Sequence, residues 1–390
     1  MPKISEVVSS SAEAMSIKYN NLVYEMKRRG QKVIVLSLGE AFFDIPLMSM
    51  DDLPYPAIYH YSHSRGIPEL RDRIARYYRE RYAVDVDPEE ELLVTAGSKA
   101  AIHFSMMATL DPGDEVMIQE PLWVSYPEQA KLCHGVPVQI PYTATVRDFE
   151  DYITERTRLL VVNNPNNPRG QVFGGWEMRY LADLAEAYDI YLLSDEAYSD
   201  FLVDEPFYSA GRFDDDKSHT IICNSISKNF GISGWRIGYA ISNPRFINQL
   251  LKINQHLITC PASILEYYLA RHFDEILHIT APQIRAVVEK RRTVARYLKE
   301  VGLDYLPGNS TFYLFVSIAP SALGSEAFCM RLLEEDHVSV VPGIGYGHSC
   351  DAFVRLSVGT ESVEDIRTGI DRIKALVECT QMVAIDETRG

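Results

Sequence analysis

The sequence predicts an α/β fold in two parts: a large domain on a mostly parallel sheet flanked by helices, and a smaller α+β domain. Three observations carry this. The chain has 390 residues, too many for one ordinary core. Short apolar runs alternate with helix-like stretches over most of its length, as in a parallel sheet with crossover helices. Several runs are continuously apolar, such as Leu159-Leu160-Val161-Val162 and Ile190-Tyr191-Leu192-Leu193, which suits strands buried on both faces.

Along the chain, strands are expected at residues 33–38, 92–95, 115–119, 159–163, 190–194, 220–224 and 235–241. Helices are expected at 16–29, 67–82, 99–110, 176–188, 245–257 and 282–301. The tail changes pattern: strand 313–317, helix 325–336, strands 338–341 and 353–358, and a last helix 363–377. That is the smaller domain, joined by the N-terminal helix, with 282–301 as the bridge. The expected division is 46–285 for the large domain, and 1–45 with 286–390 for the small one.

Composition excludes several classes. The formal net charge of −16 argues against a nucleic-acid partner, whose phosphates need a basic footprint. No apolar run approaches the roughly 20 residues of a membrane span. The first residues lack the apolar stretch of a secretory signal, and the six cysteines are scattered without a Cys-x-x-Cys pair. A cytoplasmic location with reduced thiols and no metal site is expected.

Ligands of such sheets bind at the carboxyl ends of the strands. The polar residues there form an ordered set: Ala96-Gly97-Ser98-Lys99 opening a helix, Glu120-Pro121-Leu122-Trp123, Asn163-Asn164-Pro165-Asn166-Asn167-Pro168-Arg169-Gly170, Ser194-Asp195-Glu196-Ala197-Tyr198, Asn224-Ser225-Ile226-Ser227-Lys228 and Ser233-Gly234-Trp235-Arg236. In this order and spacing the chain resembles the class I/II aminotransferases, fold-type-I pyridoxal-phosphate enzymes typified by aspartate aminotransferase. No single motif is decisive, but the first five, in order and each after a strand, leave little room for chance.

The resemblance implies a mixed, mostly parallel seven-stranded sheet and pyridoxal 5'-phosphate as cofactor. It implies Lys228 as the lysine that forms the imine and shuttles the proton, Asp195 facing the ring nitrogen, and Tyr198 and Asn167 as donors to the ring oxygen. Trp123 matches the aromatic that stacks on the ring. Gly97, Ser98, Lys99, Ser225 and Arg236 match the phosphate end, where helix-opening N–H groups and a guanidinium fork suit an anion. Tyr61, before Gly66-Ile67-Pro68-Glu69-Leu70-Arg71, matches a tyrosine that reaches the phosphate of a neighbouring subunit, so a homodimer with shared sites is implied. Arg355, in Phe353-Val354-Arg355-Leu356-Ser357, and Gly39 match the clamp for the substrate α-carboxylate.

Four departures bear on substrate: Gly39-Glu40-Ala41-Phe42-Phe43 where the family often has Gly-Glu-Pro-Asp-Phe, a short stretch at 46–60, Arg169 in the usual Asn-Pro-Thr-Gly, and a short stretch at 139–151. The expected reaction is amino transfer between an amino acid and a 2-oxo acid, with a dicarboxylate in one half-reaction. The dicarboxylate rests on Lys99, which either reaches a substrate's distal carboxylate or only adds positive potential near the phosphate. Another pyridoxal-phosphate reaction on the same fold and a non-catalytic regulator are the alternatives.

Overall fold

A computed structural model describes residues 2–387. The chain opens with α1 (Glu6–Ser10), α2 (Met15–Arg28) and β1 (Ile34–Val35). The large sheet and its helices follow: α3 (Pro68–Tyr82), β2 (Leu92–Thr95), α4 (Ser98–Thr109), β3 (Glu115–Gln119), α5 (Tyr126–Leu132), β4 (Val136–Ile140), β5 (Thr157–Asn163), α6 (Gly175–Ala187), β6 (Tyr191–Asp195), β7 (Thr220–Ser225), β8 (Gly238–Ile241) and α7 (Pro244–Leu257). Last come α8 (Ser263–Val301), β9 (Tyr313–Ser317), α9 (Ser325–Asp336), β10 (Val338–Ser339), β11 (Val341–Pro342), β12 (Phe353–Ser357) and α10 (Val363–Glu387).

The seven-stranded sheet runs β2-β8-β7-β6-β5-β3-β4. Only β8 is antiparallel to its neighbours. The apolar runs divide by the period of two that a strand imposes. Leu159 and Val161 pack with Ile102 and Phe104 of α4 in one layer. Leu160 and Val162 pack with Met178 and Leu181 of α6 in the other. Continuous hydrophobicity thus fills two layers at once, and the sheet is buried on both faces.

Three expectations need correction. The seventh strand is β4, whose Pro137 reads as a breaker; it is tolerated because β4 is an edge strand. Residues 33–38 contribute only β1, which pairs in parallel with β10 outside the large sheet. The stretch 338–341 is not one strand: β10 joins β1, while β11 joins the three-stranded antiparallel sheet β11-β12-β9.

Two further boundaries moved for stated reasons. The strand expected at 235–241 begins only at Gly238, because Arg236 takes a left-handed backbone (φ 54°) that turns the chain. The helix expected from Pro282 begins nineteen positions earlier, at Ser263, and passes a break in helical dihedrals at His272. Its residues up to Ile276 pack with the large sheet, and those from Ile284 join the core of β9, β12, α9 and α10.

Candidate active site

Because β5, β6 and β7 are parallel, their carboxyl ends share one edge of the sheet. A cavity of about 450 Å³ lies there, within the range of small-molecule sites. Asp195 ends β6; its carboxylate accepts the Tyr126 hydroxyl at 2.6 Å and the Ala197 N–H at 3.2 Å. Burial pushes its pKa up to about 6, against those two hydrogen bonds and the nearby Lys228 charge. Lys228 follows β7 and donates to the Gly39 carbonyl at 2.5 Å. Burial lowers its pKa to about 8, opposed mainly by the Glu40 carboxylate.

Tyr198 and Asn167 are buried, and the Asn167 amide donates to the Tyr198 hydroxyl at 3.4 Å. The Asn167 loop is held by its own N–H, which donates to Asn163 Oδ1 at 2.6 Å. Trp123 and Lys99 also line the cavity, with the Lys99 ammonium 4.9 Å from the Trp123 ring centroid. Lys99 stands at the exposed rim, yet partial burial of its ammonium and the Arg236 guanidinium lower its pKa.

At one end, Gly97 takes φ +84° immediately before α4 opens at Ser98. A Cβ on Gly97 would come within 2.4 Å of Arg236 Nη2, so only glycine leaves this cradle free. A Cβ on Gly238 would come within 2.2 Å of the Ser98 nitrogen, so β8 presses against the same loop. Ser225, the last residue of β7, lines the cavity with Arg236, and Arg236 is fixed by donating to the Ser233 carbonyl at 2.8 Å.

The small-domain wall carries Arg355, on β12, only 3% exposed. Its guanidinium lies 4.6 Å from the Tyr313 ring centroid and donates to the Ser37 carbonyl at 2.6 Å and Asn167 Oδ1 at 3.4 Å. Its Nε is buried without a hydrogen-bond partner among the described residues. Gly39 lines the same wall, where a Cβ would come within 3.8 Å of Arg355 Nη2.

Eleven of the residues expected from sequence line this one cavity: Gly39, Ser98, Lys99, Trp123, Asn167, Asp195, Tyr198, Ser225, Lys228, Arg236 and Arg355. Gly97 sits just behind, against Arg236. Tyr61 does not line it and is 86% exposed.

The family model for aminotransferase class I and II matches residues 51–373. The chain belongs to this family. It is 34% identical over 388 residues to the aspartate/prephenate aminotransferase of Thermus thermophilus, covering 95% of this chain and 98% of that protein. It is 32% identical over 360 residues to a (5-formylfuran-3-yl)methyl phosphate transaminase of Methanocaldococcus jannaschii, covering 90% and 94%. The solved aspartate aminotransferase of Thermus thermophilus with maleate superimposes with a TM-score of 0.87 at 31% identity, over 96% of this chain and 100% of that one. The protein is therefore a pyridoxal-phosphate-dependent transaminase, acting on amino acids and 2-oxo acids. These relatives favour transamination over elimination, cyclisation, decarboxylation or non-catalytic binding.

The cavity fits the aminotransferase cofactor on its own chemistry. The buried carboxylate of Asp195, at the end of β6, is the anion that suits a protonated ring nitrogen. The glycine cradle at Gly97, the first N–H groups of α4 and Arg236 suit a phosphate. The unpartnered Arg355 Nε suits a carboxylate of the bound amino acid. Among the described residues no helix is long and apolar enough to cross a membrane, and no group of His, Cys, Asp and Glu is placed to hold a metal.

Sequence reading missed several members. Tyr126, three residues after Trp123, orients Asp195. Tyr313 bonds the Tyr198 hydroxyl at 3.1 Å and lies under Arg355. Glu40 bonds the Ser233 hydroxyl across the cavity mouth. The Tyr126 spacing was a usable signal; nothing local marks Tyr313 or Glu40, because their partners are distant in sequence.

Proposed function

We propose that Lys228, Asp195 and Tyr198 carry the transamination in a large domain spanning 46–285, closed by a small domain of 1–45 and 286–390. The observation that supports this most is the convergence of the Lys228 amine, the Asp195 carboxylate and the buried Arg355 guanidinium on one cavity. Gly97, Ser98, Lys99, Ser225 and Arg236 hold the cofactor phosphate, with Tyr61 of a second copy of the chain. Trp123 covers one face of the ring and excludes water from it. Bound pyridoxal phosphate supplies the electron sink that makes the amino acid's α-hydrogen acidic. Asp195 holds a proton at the ring nitrogen. Tyr198 and Asn167 donate to the ring oxygen. Lys228 Nζ, a neutral amine at a pH above about 8, takes the proton from the substrate α-carbon. Arg355 binds the α-carboxylate, Gly39 lies against it, and Asn167 and Trp123 bound the substrate on the cofactor side.

Lys99 at the rim favours a dicarboxylate such as glutamate, aspartate or 2-oxoglutarate in one half-reaction. The aspartate and aspartate/prephenate aminotransferases among the relatives support that reading, as does the maleate named for the solved neighbour. The protein acts as a cytoplasmic homodimer, with exposed Tyr61 reaching the neighbour's phosphate. The test is a panel of half-reactions with purified holoenzyme, followed by the loss of visible absorbance as the amino group is transferred. Conversion by glutamate or aspartate is expected; failure of both removes the dicarboxylate, and a fully active monomer removes the shared site.

A further inference from the structure

Arg291, in the second half of α8, is 1% exposed, and among the described residues none of its hydrogen bonds goes to a carboxylate. Among the described residues, the other arginine buried as deeply outside the cavity, Arg71, has Glu89 as its counter-ion. A guanidinium buried without an anion is costly, and burial draws its pKa down to about 10. What it gains is three backbone carbonyls. Nε donates to Tyr313 at 2.6 Å, Nη1 to Gly308 at 2.8 Å and Nη2 to Arg169 at 3.3 Å.

Those carbonyls belong to two separate walls of the active site. Arg169 lies in the loop after β5 that carries Asn167, and Tyr313 begins β9. Around Arg291 the two segments are sewn together directly. The Gly170 carbonyl accepts the N–H groups of Asn309 and Ser310 at 3.0 and 3.1 Å, and Arg169 Nε donates to the Pro307 carbonyl at 3.0 Å. There is no slack: a Cβ on Gly308 would come within 2.4 Å of the Arg169 oxygen, and one on Gly170 within 2.4 Å of the Ser310 oxygen. Both segments then lead into the cavity, one through Asn167, the other through Tyr313, which touches the Tyr198 hydroxyl and the Arg355 guanidinium.

We propose that Arg291 is a positioning residue: it locks the Asn167 loop to the Tyr313 strand, and so sets the spacing between the ring-oxygen donors Asn167 and Tyr198 and the carboxylate-binding Arg355. The inference rests on the roles proposed above for those three residues. A lysine cannot replace it, because one ammonium head lacks the planar fork that reaches three carbonyls. Arg291 touches neither substrate nor cofactor, so its loss displaces both sets of contacts without removing either.

Two properties should therefore move together in Arg291→Lys: the pH midpoint of the holoenzyme's visible absorbance, set by the ring-oxygen donors, and the dissociation constant for glutamate in the half-reaction. We expect a midpoint shift of about half a unit or more, and a constant raised about tenfold, less than the ~100-fold that a 1 Å misplacement can cost. Gly308→Ala keeps Arg291 but pushes against the Arg169 carbonyl, and should move both properties the same way by less. It also serves where Arg291→Lys does not fold. If the variants lose only melting temperature, with wild-type midpoint and glutamate constant, Arg291 is a packing residue and the inference is wrong. Arg355→Ala is the control. If it too leaves the glutamate constant unchanged, the reading of Arg355 has failed, and the absorbance midpoint alone decides for Arg291.

Discussion

The two walls of the active site are built in opposite ways. The large-domain wall comes from the ends of adjacent parallel strands, where Asn163, Asp195 and Ser225 are buried and held by the sheet's own register. The small-domain wall comes from segments far apart in the chain: Gly39 and Glu40 from a loop, Tyr313 from β9 and Arg355 from β12. The first wall carries the residues proposed to hold the cofactor; the second carries Arg355, proposed to hold the α-carboxylate that every substrate shares. Substitutions of Lys228 and Asp195 should slow all substrates alike, those of Arg355 should weaken binding of every substrate, and only those of Lys99, at the rim, should change selectivity.

The sharpest way to break this contrast is Lys228→Ala. It should remove at least the ~10²–10⁴-fold that a positioned proton-transfer group contributes, equally for every amino donor. Borohydride reduction of the native holoenzyme followed by mass spectrometry should place the cofactor on Lys228; an adduct on another lysine would end the assignment. Asp195→Asn keeps the shape and removes the charge. Turnover is expected to fall by about 10²–10³-fold, as when one electrostatic stabiliser is lost, with far less effect on cofactor retention. Near-normal turnover would exclude a role at the ring nitrogen.

On the other wall, Arg355→Ala removes one partner of a desolvated ion pair, a loss of roughly 2–5 kcal/mol. Catalytic efficiency should fall by ~30- to several-thousand-fold, with lysine restoring only part of it. Steady-state kinetics that leave both KM and kcat unchanged would separate Arg355 from the substrate. A smaller effect tests the large-domain wall by pH. Because burial lowers the Lys228 pKa to about 8, its neutral, nucleophilic form increases as pH rises through that value. The rate at which cofactor-free protein takes up pyridoxal phosphate should rise about tenfold from pH 7 to 9; a flat profile would show that the amine is not limiting. Smallest of all is Lys99→Ala. An exposed ion pair is worth ~0.2–1 kcal/mol, so the dicarboxylate half-reaction should weaken by about 1.4- to fivefold more than one with an uncharged side chain. Equal slowing of both would reduce Lys99 to a source of potential near the phosphate.

What the sequence determined by itself follows the same division. Strands buried on both faces announce themselves as apolar runs, and in a parallel sheet the chemistry sits just past each run. Local order therefore placed Asp195, Asn167, Ser225 and Lys228 just past strands, and the family resemblance picked them out there as site residues. Helix α9 was legible residue for residue, because its apolar spacing and flanking breaks are local. Tertiary structure decided the rest. Pro137 is acceptable in β4 only because that strand lies at the sheet's edge, a fact set by which strands pair. Residues 338–341 part between two sheets because β1 and β12, from opposite ends of the chain, compete for them. Tyr126 carries only its spacing from Trp123, and Tyr313 and Arg291 carry no sequence mark of what they do. Their partners lie 69, 115 and 122 positions away, and a hydrogen bond over such distances exists only once packing has placed both groups.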